Sequence, residues 1–149
     1  MTGSSSSAPA LVVARVGTER YGFEVGVVRE VVAVEDVADV PATSAAVRGV
    51  MPRGERHVTL VSLAALLSGG SPPREAGRAA IVVTLGGAEL ALEVDEVEEV
   101  VNGGAEFVMA AASGGTASRG VWRCGPSLVT VLDPGLLAER LTALEERRQ

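Results

Sequence analysis

The chain says nearly the same thing twice. Residues Val16 to Val32 (VGTERYGFEVGVVREVV) align without a gap onto Leu85 to Val101 (LGGAELALEVDEVEEVV). Further on, Arg48 to Leu67 (RGVMPRGERHVTLVSLAALL) aligns with the stretch from Arg119 (RGVWRCGPSLVTVLDPGLL). In this second pair Arg48, Gly49, Val50, Gly54, Val58, Thr59 and Leu66 meet Arg119, Gly120, Val121, Gly125, Val129, Thr130 and Leu137. Two blocks in the same order, at nearly constant offset, mean two copies of one structural unit. The period of about seventy residues exceeds that of the common solenoids, and each copy is long enough to form a small barrel.

The unit reads as β. The chain is 47% hydrophobic but only 3% aromatic, and Val, Ala and Leu dominate. Valine's stiff branched side chain packs well on a pleated surface, and 18 glycines with 7 prolines supply frequent turns. Leu11 to Val16 and Arg20 to Val25 are expected to form a hairpin about Gly17-Thr18, repeated by Ala80 to Leu85 and Glu89 to Val94 about Gly86-Gly87. Val25, Val28, Val31 and Val32 fall at helical spacing, as do Val94, Val97, Val100 and Val101. A short helix is therefore expected in each copy, with a third strand as its continuation. A second hairpin joins Val47 to Met51 with Val58 to Val61 through Pro52-Arg53-Gly54-Glu55. Its counterpart joins Val121 to Cys124 with Leu128 to Leu132 around Gly125-Pro126. Leu63 to Leu67 suits one helical turn. Asp133-Pro134 supplies an N-cap and a proline at the first helical position, ahead of an apolar face of Leu137, Leu141 and Leu144.

The expected organisation is a Ser-rich disordered tail over 1–9, a barrel over 10–70, a linker over 71–78, and a second barrel with a C-terminal helix over 79–149. The net charge of −6 and pI near 4.8 argue against nucleic acid as a partner, because phosphate binding needs a concentrated basic surface. Every basic residue other than His57 is arginine, and the arginines are scattered along the chain. The N-terminus lacks the basic and apolar regions of a secretory signal, and no apolar run is long enough to span a bilayer. The chain reads as soluble and cytoplasmic, without membrane insertion.

No catalytic constellation emerges. His57 is the only histidine, and it alternates with Thr59 and Val61 on a strand whose other face carries Val58 and Leu60; an exposed strand histidine is the favoured reading. Cys124 has no partner for a disulfide or a cysteine metal site. Glu93, Asp95, Glu96, Glu98 and Glu99 fit a solvated face better than a calcium loop. Asp133 reads as a helix cap. No enzyme activity, cofactor or metal is expected.

The same blocks resemble the CheW family, the coupling proteins of bacterial chemotaxis arrays, over about residues 11–140. The opening hairpin from Leu11 to Val25, running into Val28-Arg-Glu-Val31, is similar to the family's first strands and helix. Val47-Arg-Gly-Val-Met-Pro-Arg-Gly54 with the following Val-Thr-Leu-Val strand is similar to its Gly-Val-x-Asn-Leu-Arg-Gly turn. Leu90-Ala-Leu-Glu-Val-Asp-Glu-Val-Glu-Glu-Val100 resembles its Val-Asp-x-Val-x-x-Val signature. The resemblance implies an all-β protein of two SH3-like five-stranded barrels in tandem, with short helices and a groove between the barrels. It implies a non-enzymatic adaptor at receptor arrays. Its partners would be the cytoplasmic tip of methyl-accepting chemoreceptors and the regulatory domain of a histidine kinase. Arg53 carries over as the family's turn arginine, expected on an exposed turn at the binding surface, and Gly49, Val50 and Gly54 carry over as the backbone that shapes it. Here Met51-Pro52-Arg53-Gly54 stands in place of the family's Asn-Leu-Arg-Gly, without the Asn and one residue shorter. Two alternatives stay open: a divergent relative that binds receptor or a second CheW-like adaptor but not kinase, and a small-ligand-binding β-barrel.

Overall fold

The structure, a computed structural model, describes residues 10–41, 45–68, 79–85, 87–110 and 117–148. The expected tail and linker lie outside them. The first half carries strands β1 (Ala10–Val16), β2 (Glu19–Glu24), β3 (Val28–Ala33), β4 (Val47–Arg53) and β5 (Arg56–Ser62), then helix α1 (Leu63–Ser68). The second carries β6 (Ala79–Leu85), β7 (Ala88–Val94), β8 (Glu96–Asn102), β9 (Glu106–Met109), β10 (Ser118–Cys124) and β11 (Ser127–Leu132), then α2 (Pro134–Arg148).

Two mixed sheets form, and they do not divide the chain at the linker. Sheet I runs β8-β1-β2-β11-β10-β9 and sheet II runs β3-β6-β7-β5-β4. Each half therefore gives its first hairpin to the other half's sheet. The expected barrels of 10–70 and 79–149 are corrected accordingly: sheet I closes on β1–β2 from the first half, and sheet II on β6–β7 from the second. The pairings repeat between sheets. The antiparallel contacts β1–β8 and β6–β3 correspond, as do the parallel contacts β2–β11 and β7–β5. Sheet I has a sixth strand because β9 pairs with β10, whereas its counterpart in the first half makes only an isolated bridge from Ala38 to Val50.

Burial explains the exchange. Strand side chains alternate between faces, and β1 sends Leu11 and Val13 into the interior of barrel I while Val12 and Ala14 enter the seam between the sheets. In the same way β6 sends Ala80 and Val82 into barrel II, and Ile81 and Val83 into the seam. A strand covered on both faces reads as a continuous apolar run, as Leu11-Val-Val-Ala14 and Ala80-Ile-Val-Val83 do. Phe23, Val61, Leu92 and Leu132 complete the seam, and Leu63, Leu66 and Leu137 bring both helices onto it.

Local signals set the helix starts. Ser62 Oγ accepts the Ala65 N–H at 3.2 Å, and at the matching place Asp133 Oδ1 accepts the Leu136 N–H at 3.1 Å. These bonds satisfy donors that a helix start leaves open. Arg140 of α2 donates from Nε to Leu66 O and from Nη2 to Leu67 O, both at 2.6 Å, so one helix closes the carbonyl end of the other.

The valine-rich stretches after the first hairpins are not helices. A single 3-10 turn covers Val25–Val27, and the remainder is β3 in one copy and β8 in the other. Three-residue valine spacing fits a strand end as well as a helix, and the open edges of β6 and β1 supply the ladder partners that decide the matter.

Matched bulges place Gly49 and Gly120 at φ +151° and +147°. A Cβ on Gly49 would lie 2.4 Å from Ala38 O, an impossible contact on a backbone that L residues avoid. Gly49→Ala is expected to cost more than about 2 kcal/mol in urea unfolding. Gly54→Ala, at φ +65° with open space around it, should cost about 1 kcal/mol. Equal costs at the two positions would refute the assigned packing at Ala38.

Candidate functional site: the mouth of barrel II

The hairpin expected to carry the site turns more tightly than its sequence suggests. Only Gly54 and Glu55 lie outside the strands, and Pro52 and Arg53 pair with His57 and Arg56 as the last rungs of the ladder. Positive φ at Gly54 suits a two-residue hairpin turn. Proline is tolerated because β4 is the outer strand of its sheet.

Arg53 therefore does not project freely from an exposed turn. Its side chain is 23% exposed, and its Nη1 donates to Glu89 Oε1 at 3.0 Å. Glu30 Oε1 lies 2.9 Å from Nε but off the N–H axis, so that contact is Coulombic rather than a directed hydrogen bond. The arginine ties β4 to β7 and β3 across the end of the barrel. Gly49 and Val50 sit farther along β4, where the Val50 N–H and C=O exchange bonds with Ala38 at 2.9 and 2.8 Å. Of the four residues expected at the binding surface, Arg53 and Gly54 share the barrel end, while Gly49 and Val50 belong to the covered edge of β4.

Sequence reasoning missed the company Arg53 keeps. A cavity of about 550 Å³ opens at this end, lined by Arg29, Arg53, Arg56, His57, Thr84 and Glu89 among others. The early residues of β3, β5 and β7 meet there with the last residues of β4 and β6. Arg29 Nε donates to Thr84 Oγ1 at 3.0 Å, and Arg56 Nη2 lies 3.5 Å from Glu89 Oε1. A smaller recess of about 190 Å³ adjoins it, with Val32, Met51, Pro52 and Val82 in its walls. The repeat alignment held the signal, since Arg29 aligns with Glu98, a reversal of charge between two otherwise corresponding strands.

His57 is exposed on β5. Cys124 is buried, and burial followed by the nearby Glu99 charge pushes its thiol pKa up, away from the thiolate that reactivity requires. Among the described residues no group of three or more His, Cys, Asp or Glu could hold a metal ion, and no helix is long and apolar enough to cross a membrane. Phe107, Met109 and Leu128 are exposed on sheet I, with Phe107 edge-on to Trp122 at 5.0 Å.

Two barrels that exchange their first hairpins define the fold class of the chain. The CheW-like domain matches residues 10–142, and the chain belongs to that family, whose members are scaffold and adaptor proteins of chemotaxis rather than enzymes. The solved scaffolding protein TtCheW from Thermoanaerobacter tengcongensis shares the fold, with a TM-score of 0.74 and 21% identity over 87% of this chain and 91% of that one. Comparison with curated proteins returned no match.

Proposed function

We propose that the protein is a cytoplasmic adaptor that couples chemoreceptors to a histidine kinase, with the barrel II mouth around Arg53 as part of its contact surface. The carrying observation is the CheW-like domain spanning residues 10–142. Its partners are the cytoplasmic tip of a methyl-accepting receptor and the kinase's regulatory domain. Calorimetric titration against each, from the same organism, tests the reading; no association with either would end it.

A second reading has its own support. Pro52 and the two-residue turn stiffen this hairpin, and Arg53 is engaged within the protein. A divergent adaptor that keeps receptor or sister-adaptor binding and lacks kinase binding fits those features. Micromolar or tighter kinase binding would rule it out.

Arg53→Ala is expected to weaken receptor binding at least tenfold while lowering stability by about 1 kcal/mol. Its ion pairs are partly exposed and individually weak, but their loss leaves Glu30 and Glu89 facing one another. Unchanged binding by a folded variant would restrict Arg53 to a structural role.

A further inference from the structure

We infer that the mouth of barrel II binds an acidic segment of a protein partner, one that carries an apolar side chain next to its carboxylates. The inference rests on the adaptor reading and names the chemistry of its contact.

Arg29, Arg53, Arg56 and His57 line one cavity whose only carboxylate among the described residues is that of Glu89, with Glu30 beside Arg53 on the adjoining recess. In a chain of net charge −6, gathering three guanidiniums raises their mutual repulsion unless an anion completes the set. Two of them keep donors available. Arg29 gives only Nε, to a hydroxyl, and has no carboxylate within ion-pair distance among the described residues. Arg56 is 73% exposed and reaches Glu89 at 3.5 Å through one Nη. A guanidinium's planar fork matches a carboxylate with two parallel bonds.

The other barrel serves as an internal control. The repeat places Glu98 where barrel II has Arg29, Arg15 for Thr84 and Arg20 for Glu89. There Arg20 Nε meets Glu98 Oε1 at 2.7 Å, and Arg15 meets Asp95 at 3.3 Å and Glu96 at 3.2 Å. Barrel I thus neutralises its two arginines with three carboxylates of its own. The same fold position closes internally in one barrel and stays cationic in the other, so the charge at barrel II is not a requirement of folding.

Size and surroundings favour a peptide over a free ion. A cavity of about 550 Å³ is many times the volume of one oxyanion, and it opens to solvent at a barrel end. The adjoining recess presents Val32 and Pro52 at its surface, above the buried Met51 and Val82, a wall that an apolar side chain covers and an inorganic anion does not.

The test is a ¹H–¹⁵N titration of the full chain with the capped peptide Leu-Glu-Glu-Leu-Glu, and separately with inorganic phosphate. Peptide shifts are expected at the amides of Arg29, Gly54, Val58 and Gly87, weakening as salt rises. The double variant Arg29→Gln/Arg56→Gln should weaken binding at least fivefold, its own spectrum confirming the fold, whereas Arg15→Gln should leave binding unchanged. No shifts at the mouth, or equal shifts around Arg15 and Arg20, would overturn the site. Phosphate reproducing the shifts at equal or lower concentration would overturn the peptide assignment in favour of a free anion. Failure here alongside retained receptor or kinase binding removes only this site; loss of both partners in calorimetry removes the adaptor reading itself.

Discussion

Cut within residues 69–78, the chain is expected to yield two fragments that fold only together. Apart from the hairpins and the β9–β10 pair, every strand pairing joins one half to the other: β1 with β8, β2 with β11, β3 with β6, and β5 with β7. The first fragment alone keeps the hairpins β1–β2 and β4–β5, and an isolated two-stranded hairpin is marginal in water. The seam residues Val12, Phe23, Ile81 and Leu92 would face solvent in either piece. Each fragment should show little β signal in far-UV circular dichroism, and mixing them one to one should restore it together with a cooperative melt. Cooperative unfolding by either fragment alone would contradict the exchanged topology.

Arg48→Ala is expected to destabilise the fold by about 3–5 kcal/mol, the usual cost of leaving a buried charge without its partner. Arg48 Nε lies 2.9 Å from Glu93 Oε1, with side chains 19% and 4% exposed. At the matching place in sheet I, Arg119 pairs with Glu24, but there the side chains are 46% and 39% exposed. Water screens that pair, so Arg119→Ala should cost about 1 kcal/mol or less. Replacing both members of the buried pair, as Arg48→Met/Glu93→Leu, should recover much of the loss, because two apolar groups leave no charge stranded. Urea midpoints for the four proteins decide it, and equal losses for the two single arginine variants would mean burial does not separate the pairs.

The architecture was legible where residues obeyed a local rule. The repeat, both pairs of hairpins, the cap at Asp133 and the leucine face of α2 are short-range facts written in side-chain chemistry. The valines from Val25 to Val32 were misread because their spacing satisfies two periodicities, and only a partner strand outside the segment selects one. The exchange of hairpins was illegible for a related reason. Both halves offer nearly identical edges, so a hairpin has no local cause to prefer its own copy over the other. Arg53 was singled out, yet its environment was not, because Glu30 and Glu89 reach it from β3 and β7, strands distant in sequence. The departure at Arg29 was visible in the repeat alignment, and its meaning waited on seeing Thr84, Arg56 and His57 gather at the same barrel end.

Tyr21 of β2 pairs with Thr130 of β11, 109 residues later. At roughly 5–20 residues per second of synthesis, the β1–β2 hairpin waits on the order of ten seconds for its permanent neighbour. Through most of that interval the nascent chain displays Leu11-Val-Val-Ala14, a run destined for cover on both faces, because β8, the strand that pairs with β1, ends only at Asn102. Unpaired apolar strands are templates for association with other chains, so the interval on the ribosome, rather than the finished double barrel, is where this protein is most exposed to aggregation. A synonymous recoding that slows translation between β7 and β11 should therefore lower the soluble yield without altering a single residue of the product.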